Sequence, residues 1–542
     1  MRASLSKVWD FRYIGFVLVG GLAFAVVNIV GQIVAHQLNP AVPVASPYRF
    51  IKYFLLGAIA SAFLAWGGRT NWAARRRILP RLQLNLSAFA IFVAAWLIPL
   101  VRFWPAVAMN DSWAVFEGPL EVSNQHPLGF GIYLTGLTAV GEYLFGSQAG
   151  GIAFASVVQV LLWAAGLVYV VDALNVMRVR TPLVVGFIIY AAFFPVVSDY
   201  AIALVKDSPF MLGIAMLSVM LVRIFNSRGK PFTRPAFVAL FVVVLVVISA
   251  SRNNGTLLVL IALVCAVGWA KGRRKVAALA GIAALVIGSI PAVISSHYAG
   301  PHKYAESVGV PLQMIGYTIK VNRGCLPPDD LAFYSKIFPL DLWAHVYDPV
   351  TIDSVKYNPK FQWGYIQEHK EEFPKHFLSS ALSCPRNFAR AYINHTYPYW
   401  TASGNEIGST TQSTFTQLVS NETNYQYGYT ATLRKHGVVN QSQLPQKADE
   451  VFNASWLPVL KKTRGTGAWM WGLVLICVAA LRYGRRGVLV SLLPSAVIMG
   501  TLFLASPHSL VFRYSAFLTL TVPLALLLLF SAKERRKVAT PN

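Results

Sequence analysis

The chain has 542 residues, of which 55% are apolar and 13% are charged, and its mean hydropathy is positive. This composition excludes an ordinary soluble globular protein and predicts a polytopic membrane protein. The formal net charge is +25. Because the basic residues concentrate in short loops between apolar segments, the charge indicates membrane topology and not a nucleic-acid partner.

Apolar segments recur along the sequence at lengths that suit membrane crossing. A helix needs roughly 20 apolar residues to cross the hydrocarbon core, and about 12 segments qualify. We therefore predict an all-α polytopic membrane protein with N-terminal spans in 1–104, central spans in 149–296, and C-terminal spans with a basic tail in 466–542. The predicted spans are 13–35, 50–67, 85–104, 149–171, 182–199, 205–225, 236–250, 254–270, 276–296, 466–482, 487–505 and 511–530.

The basic loops alternate with nearly uncharged ones, and the positive-inside rule assigns the basic loops to the cytoplasm. Both termini are then cytoplasmic, in what we expect to be a bacterial plasma membrane. Residues 127–146 are apolar but contain Glu142 and several glycines. A crossing there would turn every later basic loop outward, so we interpret 127–146 as a juxtamembrane helix within an outer loop, 105–148.

Residues 297–465 have the mixed polar composition of a soluble domain. The topology places this segment outside the membrane, between spans 9 and 10, and its short helical patterns predict a mainly α domain. Cys325 and Cys384 both lie within it. Two thiols in an oxidising compartment predict a disulfide, and two unpaired cysteines are the alternative.

Candidate functional residues lie at span ends on the side opposite the basic loops. Asp111 follows the third span beside Asn110, and His126 precedes the juxtamembrane helix. A carboxylate at that interface is suited to accept a proton from a hydroxyl, although a solvated loop acid is the alternative. Lys206 and Asp207 begin the sixth span, where an ionisable pair needs water, a partner or a charged ligand. A helix cap beside a snorkelling lysine is their alternative.

Two further pairs of residues lie at the same predicted membrane face. Arg252 and Asn253 occupy a tight turn between two spans, and Arg513 and Tyr514 lie near the start of the last span, after His508. A guanidinium presents a fixed fork of donors that matches phosphate oxygens. Anchoring to lipid headgroups is the alternative for each arginine. Together these residues predict a lipid-phosphate substrate at the outer interface.

Seven short motifs resemble those of the GT-C superfamily of polytopic glycosyltransferases and, within it, an uncharacterised bacterial membrane-protein family. The resemblance covers most of the chain. The motifs are Asn110-Asp111-Ser112-Trp113, His126-Pro127-Leu128, Leu144-Phe145-Gly146, Lys206-Asp207, Arg252-Asn253-Asn254-Gly255, Val310-Pro311-Leu312-Gln313-Met314-Ile315 and Arg513-Tyr514.

The resemblance implies an inverting glycosyltransferase that moves a sugar from a polyprenyl-phosphate donor to a cell-envelope glycan or lipid acceptor. Asp111 is the implied general base, and Lys206, Arg252 and Arg513 are the implied ligands of the donor phosphate. Many relatives carry an adjacent acidic pair where this chain has one acid, so we expect no metal and no cofactor. The remaining substrate-site candidates are Asn110, His126, Asp207, Asn253, His508 and Tyr514.

Two other functions remain open from the sequence. One is an O-antigen-ligase-like transferase, whose basic residues would lie chiefly in the large outer loop. The other is a lipid-linked glycan transporter, which should place ionisable residues at mid-membrane depth.

Overall fold

The computed structural model describes residues 11–70, 80–108, 112, 116, 127–299, 303–402, 438, 442–452, 454 and 465–531. Its regular structure is helical, and within these ranges the only extended pairings are isolated bridges such as that between Val107 and Ala203. The prediction of an all-α protein is confirmed.

Within the described residues, eleven α-helices precede the segment 297–465 and three follow it. We call this segment the outer domain after its predicted location. The first group is α1 Phe11–Leu38, α2 Pro47–Arg69, α3 Arg81–Arg102, α4 Leu128–Phe145, α5 Gln148–Val176, α6 Thr181–Phe193, α7 Pro195–Ile202, α8 Asp207–Ser227, α9 Pro235–Ser251, α10 Gly255–Trp269 and α11 Arg274–Ala299. The outer domain contains α12 Tyr304–Ser307, α13 Gly309–Asn322, α14 Pro328–Ile337, α15 Leu340–Val346, α16 Asp353–Lys356, α17 Trp363–Glu368, α18 Phe373–Ser383 and α19 Pro385–Trp400. The last group is α20 Thr466–Arg482, α21 Arg486–Ala505 and α22 Leu518–Phe530.

Eight of the described helices are long and apolar enough to cross a membrane, or up to nine if the bent pair of α6 and α7 counts as one span. They are α1 to α5, α8, α11 and α21. Four further apolar helices, α9, α10, α20 and α22, are shorter. The protein is thus an integral membrane protein by the length and composition of its helices, whereas the count of 12 spans stays a prediction.

The predicted span 182–199 is not one straight helix, which corrects the sequence interpretation. α6 and α7 meet at a bend of 61°. Pro195 begins α7 directly after Phe194, and a proline both lacks a backbone N–H and clashes with the carbonyl of the preceding turn. The predicted last span, 511–530, also differs: a 3₁₀ turn, Phe512–Tyr514, precedes α22.

α4, predicted to lie at the outer interface, is itself among the eight candidate spans. The chain reverses direction at Gly146, whose φ of 67° is readily accessible to glycine. α4 then packs against the first half of α5. Trp163 of α5 donates a hydrogen bond to Ser208 near the start of α8. The 15 residues of α5 that precede Trp163 form about 22 Å of helix beyond this contact. α4 packs along this part of α5, which favours a position beside the end of the helix bundle. The interpretation of 127–146 as a juxtamembrane helix stays a prediction.

The outer domain has its own hydrophobic core, built around the buried rings of Phe333, Tyr334 and Trp343. Cys325 and Cys384 form a disulfide that joins the start of α14 to the start of α19, with Cα atoms 5.8 Å apart. The bridge closes a separation of 59 residues. It therefore constrains most of the helical part of this domain.

We expect the disulfide to contribute about 4 kcal/mol to the stability of the outer domain, because it removes loop-closure entropy from the unfolded chain. The paired variant Cys325→Ser/Cys384→Ser should unfold at a lower temperature than the parent. Cys265→Ser is the matched control, since Cys265 is a free thiol in α10. Two alkylatable outer-domain thiols in the non-reduced, denatured protein would contradict the prediction.

Candidate functional site

The segment 203–206, between α7 and α8, is held in place by side chains of α5. Gln159 donates its side-chain amide to the carbonyl of the first residue of the segment. Trp163 Nε1 donates to Ser208 Oγ at 2.8 Å. These bonds satisfy backbone and side-chain groups that would otherwise be buried without partners. They also fix the position of Asp207, the first residue of α8.

Asp207 is the centre of a buried charge cluster. Its side chain is 2% exposed and forms an ion pair with Arg252, while its other oxygen lies 3.9 Å from Arg513 Nε. A buried carboxylate needs such partners because its desolvation is unfavourable by several kcal/mol. Asp207 therefore neutralises and orients the two guanidiniums that we predict to bind phosphate, a role that the sequence analysis did not assign to it.

The ring of Tyr514 contacts both arginines. The Arg252 Cζ is 4.6 Å from the centre of its ring, and the Arg513 Cζ is 5.2 Å from it. Arg252 also lies 5.6 Å from the ring of Phe210. Contacts of this kind hold a guanidinium in one orientation by cation–π attraction. Both arginines remain 15% exposed.

The turn that carries Arg252 is tight and needs its glycine. The Nδ2 of Asn254 donates to Thr501 Oγ1 of α21 at 2.9 Å. A Cβ at Gly255 would collide with the backbone carbonyl of Ile248. The close approach of α9 and α10 therefore depends on glycine at this position.

A polar cavity of about 520 Å³ lies at one end of the helix bundle, and its lining includes the two arginines and Tyr514. Lys206, Arg252 and Arg513 line its side toward the helix bundle, together with Asn253 and Tyr514. The structure thus brings together residues from three distant parts of the sequence, and their binding of phosphate stays a prediction.

The outer domain supplies the opposite wall of the cavity, with Glu306, Asp353 and Tyr357. The side chain of Lys356 is fully buried, and its Nζ lies 2.8 Å from Glu306 Oε2 and 3.2 Å from Asp353 Oδ1. The cavity is consequently cationic toward the bundle and acidic toward the outer domain. These acids could not be predicted as site residues, because no local motif distinguishes them from other charges of a polar domain.

The outer domain is attached to the loop before α22 by backbone hydrogen bonds. Ile352 N donates to the carbonyl of Pro507 at 3.0 Å, and Ser509 N donates to that of Val350 at 3.0 Å. The buried His395 ring bonds to the carbonyl of Ser506. Burial lowers the pKa of His395 to about 4, so this ring is neutral near pH 7.

His508, predicted as a substrate-site residue, belongs to the same attachment and does not line the cavity. It forms an antiparallel bridge with Thr351 of the outer domain. Burial lowers the pKa of His508 below its ordinary value. His508 thus contacts the outer domain, and its role as a substrate-site residue stays a prediction.

An apolar groove of about 480 Å³ adjoins the polar cavity, between α4, α5, α8 and α9. Three chain segments line both the polar cavity and the groove, and in each segment the two lining residues are at most three positions apart. Pro127, Lys206 and Arg252 line the polar cavity, whereas Gly129, Pro209 and Ser251 line the groove. The site thus consists of a cationic polar cavity and the apolar groove that adjoins it.

Asn110, Asp111 and His126 lie outside the residues that the structure describes. Among the described residues, no group of three His, Cys, Asp or Glu side chains is arranged to hold a metal ion.

We expect Arg513→Ala to weaken binding of polyprenyl phosphate and Arg513→Lys not to restore it, because a point charge cannot reproduce a two-pronged phosphate contact. The measurement is titration of the purified protein with polyprenyl phosphate. Arg323→Ala is the control, since that arginine is exposed in the outer domain and pairs with Asp341. Unchanged affinity in Arg513→Ala would mean that the residue only anchors α22.

Comparison with known proteins gives one match. The model of a family described as a family of unknown function (DUF6020) matches residues 117–542. No curated protein and no solved structure matches the chain. Every cavity residue described above lies within the matched range.

Proposed function

We propose that this chain, which belongs to the DUF6020 family of unknown function, is an inverting glycosyltransferase at the outer face of a bacterial plasma membrane. It transfers a sugar from a polyprenyl-phosphate donor to an envelope glycan or lipid acceptor. The observation that supports this most is the junction of the apolar groove with the cationic cavity. Such a junction suits an amphiphile with a phosphate head and a hydrocarbon chain.

The groove is suited to the hydrocarbon part of that donor. Its lining on α9 runs from Leu240 to Ser251, which is about 16 Å of helix. Apolar side chains and glycines form most of its surface, so burying a chain there is favourable in proportion to the apolar area removed from water. The phosphate end would then lie beside Arg252.

The proposed reaction is a single displacement at the anomeric carbon. The acceptor oxygen forms a bond to that carbon while the bond from carbon to phosphate oxygen breaks, and the general base takes the acceptor proton. The released polyprenyl phosphate gains negative charge, which Lys206, Arg252 and Arg513 would stabilise. Asp111 is the proposed base.

The acidic wall of the cavity suits the acceptor. Glu306 and Asp353 carry carboxylates, which accept hydrogen bonds from hydroxyl groups, and their shared contact with Lys356 fixes both. The same acids would repel phosphate. The donor phosphate is thus favoured at the bundle wall and a polyhydroxyl acceptor at the outer-domain wall.

The variant Ala165→Phe tests the groove. Ala165 is exposed and lines it, so a ring at this position should occupy space that the donor chain needs. We expect the affinity for long-chain polyprenyl phosphate to fall about 10-fold or more, with little change for a phosphate carrying a short chain. Ala292→Phe, on an exposed face of α11 away from both cavities, is the matched control. Equal effects of the two variants would contradict the proposed binding mode.

A transfer assay tests the reaction itself. The purified protein is incubated with polyprenyl-phosphate sugars, and release of polyprenyl phosphate is measured with and without envelope extract from cells that lack the protein. We expect acceptor-dependent release and one sugar-specific change in the glycans of those cells. Use of diphosphate-linked glycans alone would indicate a ligase-like enzyme. Movement of lipid-linked glycan across vesicles without transfer would indicate a transporter.

A further inference from the structure

A second cavity, of about 840 Å³, lies at the end of the bundle opposite the candidate site. α8 begins at Asp207 beside the first cavity and ends at Ser227 beside the second, so about 30 Å of helix separates them. The charge pattern of the sequence predicts this end to be cytoplasmic. The second cavity is therefore distinct from the proposed transfer site.

Cationic side chains converge on this cavity from two chain segments, 223–234 and 271–273. Among the described residues that line it there is no acid. Apart from Arg223, which lies in α8, the lining cations belong to loops, and none of these five pairs with a carboxylate within the described part of the chain. The lining cations are Arg223, Arg228, Lys230, Arg234, Lys271 and Arg273.

One of these cations is held in a fixed position. Arg223 Nη1 donates to the hydroxyl of Tyr169 at 3.2 Å, and its Cζ lies 5.7 Å from the Tyr169 ring and 5.5 Å from the Phe237 ring. A guanidinium oriented in this way, at the edge of a concave surface, is suited to a planar two-pronged contact with phosphate oxygens. Val176, Met177 and Phe237 add apolar surface to the lining.

We propose that this cavity binds a phosphate-bearing anion. The five cations of the loops repel each other around one concave surface, whereas Asp172 partly offsets the charge of Arg223. A phosphate group relieves that repulsion where the local geometry focuses the positive potential. The positive-inside rule accounts for basic residues in these loops but does not require them to surround a cavity. The phosphate is carried either by an anionic lipid headgroup or by a soluble compound, and both present the same chemistry to the protein.

The test uses two variants that remove equal charge from neighbouring positions, one in the loop before α11 and one in the first turn of α11. Lys271→Gln/Arg273→Gln removes two lining cations, whereas Arg274→Gln/Lys275→Gln removes two exposed neighbours that do not line the cavity. The full chain in phosphatidylcholine nanodiscs is titrated with inorganic pyrophosphate. In parallel, phosphatidylglycerol retained from mixed nanodiscs is counted by native mass spectrometry.

We expect the lining variant to lose about ten-fold in affinity for the probe that binds, and the control variant to stay within about two-fold of the parent. Phosphatidylglycerol that is retained and displaced by pyrophosphate identifies a lipid headgroup as the source. Pyrophosphate binding without lipid retention identifies a soluble phosphate. Equal losses in both variants, or binding of neither probe by the parent, would overturn the proposal. Neither readout depends on glycosyl transfer.

Discussion

Replacing Arg252 with alanine should both destabilise the protein and abolish tight binding of polyprenyl phosphate. Removal of one partner of a buried ion pair typically destabilises by about 3 to 5 kcal/mol, because the remaining charge stays desolvated. That charge is Asp207, which is 2% exposed. Loss of a charge-assisted bond to the donor phosphate should reduce affinity about 10-fold to 100-fold.

The double variant Arg252→Ala/Asp207→Asn separates the two effects. Its thermal unfolding temperature should lie above that of Arg252→Ala, since no buried carboxylate is left without its strongest partner. Its affinity for polyprenyl phosphate should remain as low as in the single variant. Parent-like affinity in the double variant would mean that Arg252 serves only to neutralise Asp207, and that phosphate binds elsewhere.

The positions of the membrane helices could be read from the sequence because the signal is local. Predicted spans 149–171 and 276–296 fall within α5 and α11, which extend a few residues further. Hydropathy averages over a window, however, and a bend does not change composition. The break between α6 and α7 at Pro195 was therefore invisible to the span prediction, although the proline itself was the signal that could have shown it.

The site was predictable only on its bundle side. Arginine and lysine are few at the span ends opposite the basic loops, so Lys206, Arg252 and Arg513 were found from the sequence. Asp207, the shared partner of Arg252 and Arg513, was found as a candidate residue but not as their partner, because 45 positions separate it from Arg252. Glu306 belongs to a domain where charges are common, and only its place in the cavity lining distinguishes it.

Asp111→Asn should leave folding and binding of polyprenyl phosphate intact and yet lose most turnover. The amide keeps the shape of the side chain but cannot take the acceptor proton, and general-base catalysis is typically worth about 10² to 10⁴ in rate, or about 3 to 5 kcal/mol in the barrier. Asp111 lies outside the described residues, but Ser112, the next residue in the sequence, is buried and donates to the carbonyl of Leu204, two residues before Lys206.

The rate of polyprenyl phosphate release from a polyprenyl-phosphate sugar measures the effect of this substitution. Asp341→Asn is the matched control, since that carboxylate is 94% exposed in the outer domain and a solvated acid contributes little to a distant barrier. Release by Asp111→Asn within a few-fold of the parent would remove Asp111 as the base. The acids of the outer-domain wall would then be the next residues to test, because Glu306 and Asp353 already face the cavity that holds the cations.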